Sequence, residues 1–144
     1  MELKFTIPGE PQGKGRPKFA RRGSHAHAYT PKKTRAYEDI VANSYILQCG
    51  NAKANRNEYL SLVITAFFKI PKSTSKEKAY EMRLGKIFPT KKPDIDNIIK
   101  IVADALNGVA YDDDKQIIDV SARKVYSENP RVDVRIRIIE PEEN

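Results

Sequence analysis

Between Arg131 and Ile139 the chain alternates strictly. Val132, Val134, Ile136 and Ile138 take one side, and Arg131, Asp133, Arg135 and Arg137 take the other. A period of two marks a strand with one buried face. Leu3 to Ile7 repeats the pattern, and Pro8-Gly9-Glu10-Pro11 ends it. Tyr59 to Ile70, rich in β-branched and aromatic residues, predicts a further strand stopped by Pro71, and Gln116 to Tyr126 another. Helical spacing appears from Pro31 to about Gln48, with Tyr37, Ile40, Val41, Ser44, Tyr45 and Leu47 on one stripe and Gly50 just beyond. A second helix is expected to start near Asp96 or Asn97, with Ile98, Ile99, Val102, Ala105, Leu106 and Val109 on its apolar face and Asn107-Gly108 at its end. Thr74 and Glu77 resemble a capping box for a short, weakly apolar helix at 75–84. Residues 12–30 show neither period and read as a loop, and the polar tail Pro141-Glu142-Glu143-Asn144 is expected to fray. Strands at both ends with helices between predict an α+β fold: a small mixed sheet of about four strands covered by two main helices.

A length of 144 residues suits one domain, read as 1–144, with one sizeable core. Charge changes the picture. Lys and Arg number 26 against 19 Asp and Glu, a net +7. Such a balance favours an acidic partner, nucleic acid before an anionic membrane surface. No basic amphipathic helix supports a membrane-surface role. Cys49 is the lone cysteine, which excludes an intrachain disulfide and favours a reducing compartment. With no signal-like N-terminus and no apolar run long enough to span a bilayer, a cytoplasmic location is expected.

Against this basic background, carboxylates concentrate in Lys92-Pro93-Asp94-Ile95-Asp96-Asn97-Ile98-Ile99-Lys100 and in Asp112-Asp113-Asp114. Two like charges about 4 Å apart repel by roughly 4 kcal/mol at an effective dielectric near 20. A divalent cation reverses that sign, and Mg²⁺ favours one or two carboxylates plus water and phosphate. Pro93 biases Lys92 towards extended geometry, and in an extended segment Asp94 and Asp96 point the same way. Asp96 is also placed to be the helix N-cap, but one helix start needs only one cap. Lys100, four residues on from Asp96, is either a surface ion-pair partner or a cation beside a scissile phosphate. Asp104 continues that face as a partner for Lys100 or as solvated surface. A helix from Asn97 to Asn107 rises about 15 Å, and the residues from Gly108 to Asp114 span at most about 20 Å. Asp114 therefore reaches the helix start only if the loop runs back along the helix; otherwise the third carboxylate comes from a partner chain. Three carboxylates and a divalent ion would support phosphodiester hydrolysis, with one ion or two.

Between Gln12 and Tyr37 there is no acidic residue, while Lys14, Arg16, Lys18, Arg21, Arg22, Lys32, Lys33 and Arg35 are interleaved with glycines, Phe19 and Tyr29. Cations there suit phosphates and aromatics suit exposed bases. Lys91 and Lys92 abut the aspartates and extend the same expected DNA-binding set. His25 and His27 read as surface residues, since other soft ligands for zinc are lacking nearby.

The segment "KKPDIDNIIKIVADALNGVAYDDDKQI", from Lys91 to Ile117, resembles the RusA family of Holliday junction resolvases, and "IPGEPQGKGRPK" near the N-terminus supports it. The resemblance implies catalytic aspartates at Asp94 and Asp96, the motif lysine at Lys100 and the third essential aspartate at Asp114, with Asp113 its rival within the run. It also implies Mg²⁺ or Mn²⁺, a homodimer, and paired symmetric nicks across a four-way DNA junction. Two other readings stay open: a less selective flap or single-strand nuclease, and a non-catalytic nucleic-acid-binding module.

Overall fold

A computed structural model describes residues 1–142; of the tail expected to fray, Glu143 and Asn144 lie outside them, as does the Arg22 side chain. The chain forms β1 (Glu2–Pro8), β2 (Lys18–Arg22), β3 (His25–Tyr29), α1 (Lys32–Cys49), β4 (Tyr59–Lys69), α2 (Lys76–Arg83), α3 (Ile95–Ala105), a 3-10 turn at Asp114–Gln116, β5 (Ile117–Ser127) and β6 (Arg131–Ile139). Four strands make one mixed sheet in the order β1-β6-β4-β5. β6 lies antiparallel to both β1 and β4, while β5 runs parallel to β4. A parallel neighbour needs a long crossover. Here α2 and α3 supply it.

The period-two pattern does what it predicts. Leu3, Phe5 and Ile7 of β1, Leu60, Leu62, Ile64 and Phe68 of β4, and Val132, Val134 and Ile136 of β6 are buried together. Tyr37, Val41 and Tyr45 of α1 and Ile98, Ile101 and Val102 of α3 close over them. The α+β expectation of a four-stranded mixed sheet with two covering helices holds.

Four details differ. Residues 12–30 contain an antiparallel hairpin, β2 with β3, turned at Gly23. Its register sets Phe19 against Ala28 and Arg21 against Ala26, and every described position of β3 is exposed. A strand pair that buries no face carries no hydrophobic alternation. Second, α3 begins at Ile95, so Asp94 and not Asp96 is its N-cap, and the two aspartates do not share one extended segment, because Asp96 is already in the first helical turn. Its inner face includes Ile101, fully buried, whereas Ile99 and Ala105 only border the core. On α1, Leu47 is 85% exposed and Ile40 43%, while Thr34 is buried in their place. Last, the short helix is capped by Ser75, whose hydroxyl accepts the Lys78 amide, and not by Thr74.

Candidate active site

Asp94 is the last extended residue after Pro93, with φ −68° and ψ 153°. Its carbonyl accepts the Asn97 and Ile98 amides at 3.1 Å each, which opens the helix. Its carboxylate makes no capping bond, and Asp96 follows in the first turn. Both residues are exposed, and neither carboxylate has a hydrogen-bond or ion-pair partner among the described residues. A helix N-terminus favours negative charge, so the pair sits where two open carboxylates are best tolerated.

The segment from Gln12 to Arg16 packs across this helix start. The Lys14 amide donates to the Asn97 carbonyl at 2.9 Å. Gly13 is required there, because a Cβ would stand 2.8 Å from Pro93 Cβ and 3.0 Å from Asn97 Cβ. An open cleft of about 600 Å³ lies between the segment and the helix, lined by Arg16, Lys92, Asp94 and Asn97 among others. Arg16 and Lys92 are exposed on its rim, so a phosphate chain lying there would meet cations beside a carboxylate.

The acidic tripeptide divides into three environments. Asp112 pairs with Lys53 at 2.7 Å and Arg56 at 3.6 Å, and the hydrogen bond and charge of Lys53 hold its carboxyl below the usual range. Asp113 accepts the Lys115 amide at 2.9 Å and forms a capping box with Gln116. Asp114 is turned towards α3. Partial burial pushes its carboxyl up, aided by a hydrogen bond with Asp113 and by Asp104 nearby. Its amide donates to Asn107 Oδ1 at 2.9 Å, which ties it to the far end of the helix.

The loop therefore runs back only over the last turn of α3, where the Tyr111 hydroxyl donates to the Ala103 carbonyl at 2.6 Å. Asp114 reaches Asp104, which lies eight residues beyond Asp96, about 12 Å along the axis. No group of three or more His, Cys, Asp or Glu side chains is arranged to hold an ion among the described residues. Asp94 and Asp96 still fit a hard cation. They are oxygen donors two positions apart, unpaired and open to solvent, and Mg²⁺ commonly takes two carboxylates with water and phosphate.

The expected cations fall into two sets. Arg16, Lys18, Arg21, Lys32, Lys33, Lys91 and Lys92 are exposed, and Lys124 donates to the Lys91 carbonyl at 2.6 Å. Arg22 lies in β2. Lys14 is different: its ammonium lies 3.1 Å from Glu38 and 3.3 Å from Asp104, with a side chain only 19% exposed. Burial opposes its charge, but those two carboxylates outweigh it and hold its pKa above the usual value. Lys100 remains largely open, 3.7 Å from Asp104. His25 and His27 are exposed on β3.

Three contributors stand outside the expected set. Gln116 is buried; its amide oxygen accepts the Asp112 and Asp113 amides at 3.1 and 3.3 Å, and its nitrogen donates to the Asn55 and Glu58 carbonyls. The Asp113-x-x-Gln116 spacing is a capping-box signal for it. Asn107 and Glu38 carry no such local signal, because their partners are distant in sequence.

Open carboxylates at a helix start beside a cationic cleft, on a strongly basic chain, suit a protein that acts on nucleic acid. The RusA endodeoxyribonuclease family matches residues 8–137, and the chain belongs to it. Membership supports an endonuclease acting on branched DNA at Holliday junctions. The uncharacterized protein YqaN of Bacillus subtilis (strain 168) is 38% identical over 142 residues, covering 94% of this chain and 95% of YqaN. No helix among the described residues is long and apolar enough to cross a membrane.

Proposed function

We propose that the protein is a homodimeric endodeoxyribonuclease dependent on Mg²⁺ or Mn²⁺, resolving four-way DNA junctions by paired symmetric nicks. The observation that carries this reading is the unpaired Asp94 and Asp96 at a helix start beside the Arg16 and Lys92 cleft, in a chain of this family. Asp94 and Asp96 hold the ion. Asp114 lies near Asp104, which is about 12 Å along α3 from Asp96, and in this reading the third carboxylate at each site is Asp114 of the partner subunit. A bound divalent ion polarises the phosphoryl oxygen and lowers the pKa of attacking water. Lys100, open to solvent one turn beyond Asp96, offsets charge developing on the phosphate. Arg16, Lys18, Arg21, Arg22, Lys32, Lys33, Lys91 and Lys92 hold the strands by their phosphates. A two-fold dimer offers two equivalent sites to a junction with two equivalent strands.

Replacing Asp96 with Asn tests the reading. Cleavage of a synthetic four-way junction in Mg²⁺ is expected to fall by at least about a hundredfold, as befits the loss of a ligand to the ion that activates the attacking water. Binding of the junction in Ca²⁺ is expected to stay within about threefold, since a carboxylate contributes nothing to phosphate contacts. A variant that cuts at the wild-type rate would remove Asp96 from the site. Binding without cleavage by the wild-type protein, whatever the ion, would instead favour a non-catalytic binding module.

A further inference from the structure

We propose that Lys14 is a positioning residue for the metal site: its ammonium, held between Glu38 and Asp104, fixes Asp104 and so keeps Asp114 presented, while its backbone fixes the helix start bearing Asp94 and Asp96. The inference rests on the metal-dependent reading above.

Lys14 stands where three segments meet. Its amide bonds the Asn97 carbonyl of α3 at 2.9 Å. Its ammonium lies 3.1 Å from Glu38 on α1 and 3.3 Å from Asp104 on α3. The glycines on either side explain how it gets there. A Cβ on Gly13 would strike Pro93 and Asn97, and a Cβ on Gly15 would lie 2.6 Å from Thr34 Oγ1. The Gly15 amide donates to that same oxygen at 3.1 Å. Gly13-Lys14-Gly15 is thus shaped to bring one lysine inward, between two helices.

Lys14 also lines the cleft beside Asp94, but its ammonium is already matched by two carboxylates. Glu38 and Asp104 are only 20% and 24% exposed, and Lys14 is the cation they share. Lys100 approaches Asp104 from the open side at 3.7 Å. The Asp114 amide donates to Asn107 Oδ1 at 2.9 Å and the Asn107 amide donates to the Asp104 carbonyl at 3.3 Å, which holds Asp114 beside Asp104. Without the Lys14 ammonium, Glu38, Asp104 and Asp114 form a run of like charges with no inner counter-ion, and Asp104 is free to turn. Groups that orient metal-binding carboxylates typically change metal affinity 10–100-fold when lost.

The test is Mn²⁺ affinity of the full-length chain, read by electron paramagnetic resonance of free Mn²⁺. The expected result is a dissociation constant raised at least about tenfold in Lys14→Met and within about threefold of wild type in Lys14→Arg. Junction affinity in Ca²⁺ and its salt slope are expected to stay at wild-type values in Lys14→Met. If that variant does not fold, Lys14→Gln carries the same prediction. Unchanged Mn²⁺ affinity overturns the inference, and so does weaker junction binding with a flatter salt slope, which would make Lys14 a phosphate contact. Wild-type protein that binds Mn²⁺ but cuts no junction overturns the nuclease reading while the Lys14 prediction is still read. Wild-type protein that binds no Mn²⁺ overturns both.

Discussion

At the level of single residues, three consecutive aspartates of identical chemistry have three different circumstances. Asp112 has a cation at 2.7 Å, Asp113 caps a 3-10 turn, and Asp114 faces other carboxylates. Asp114 is strained by its charge. Its folded-state pKa is raised above the ordinary 3.8 by partial burial, then by Asp113 and Asp104. The folded chain therefore keeps that proton to higher pH than the unfolded chain does. Its contribution to stability is best below the ordinary aspartate pKa and declines as pH rises through the folded value. Asp114→Asn removes the cost. The variant is expected to melt a few degrees higher than wild type near pH 7, a small gain because the group is partly exposed. The gain should shrink as pH falls and vanish well below the ordinary aspartate value of 3.8, where both states of wild type are protonated. Thermal melts across that range check it; a loss of stability at pH 7 would contradict the electrostatic account.

At the level of elements, the legible parts were those that bury a face. β1, β4 and β6 announce themselves by alternation because every second residue enters the core. β2 and β3 were hidden because the exposed hairpin has no inner side: alanines pair with Phe19 and Arg21, and nothing is sorted into apolar and polar. That Asp94 and Asp96 stand at a helix start was legible from spacing. Which of them caps the helix was not, since a one-residue shift in the helix start depends on how the loop before it packs. That packing rests on Gly13, which lies against Pro93 and Asn97. Gly13→Ala is expected to push the loop from α3, weaken the Lys14 amide bond to Asn97, and destabilise the fold by roughly 1–3 kcal/mol. The midpoint of urea unfolding measures this. No change in midpoint would mean the loop yields without cost and does not fix the helix start.

For the whole molecule, the placement of the carboxylates decides how many chains make a site. Within one chain, Asp114 is held near Asp104 by the Asn107 bond and by the Gln116 anchor beneath the turn, so moving it to Asp96 would break both. A two-fold dimer needs no such break, because an isologous interface brings two different parts of one surface against each other reciprocally. This arrangement makes a prediction that a self-contained site does not. Asp96→Asn and Asp114→Asn homodimers are each expected to be inactive. Mixed, unfolded and refolded together in equal amounts, they form heterodimers in which one site pairs an intact Asp94 and Asp96 with an intact Asp114 of the partner subunit, while the other site is doubly broken. Random reassortment makes about half the dimers mixed, so roughly a quarter of the sites regain activity. Each repaired dimer holds one working site, so the product is a junction nicked in one strand, and it appears only after mixing. If each chain supplied all three aspartates to its own site, no reassortment would restore any cleavage. The yield of singly nicked junction against mixing ratio therefore separates a shared site from a self-contained one, and it should peak at equal proportions.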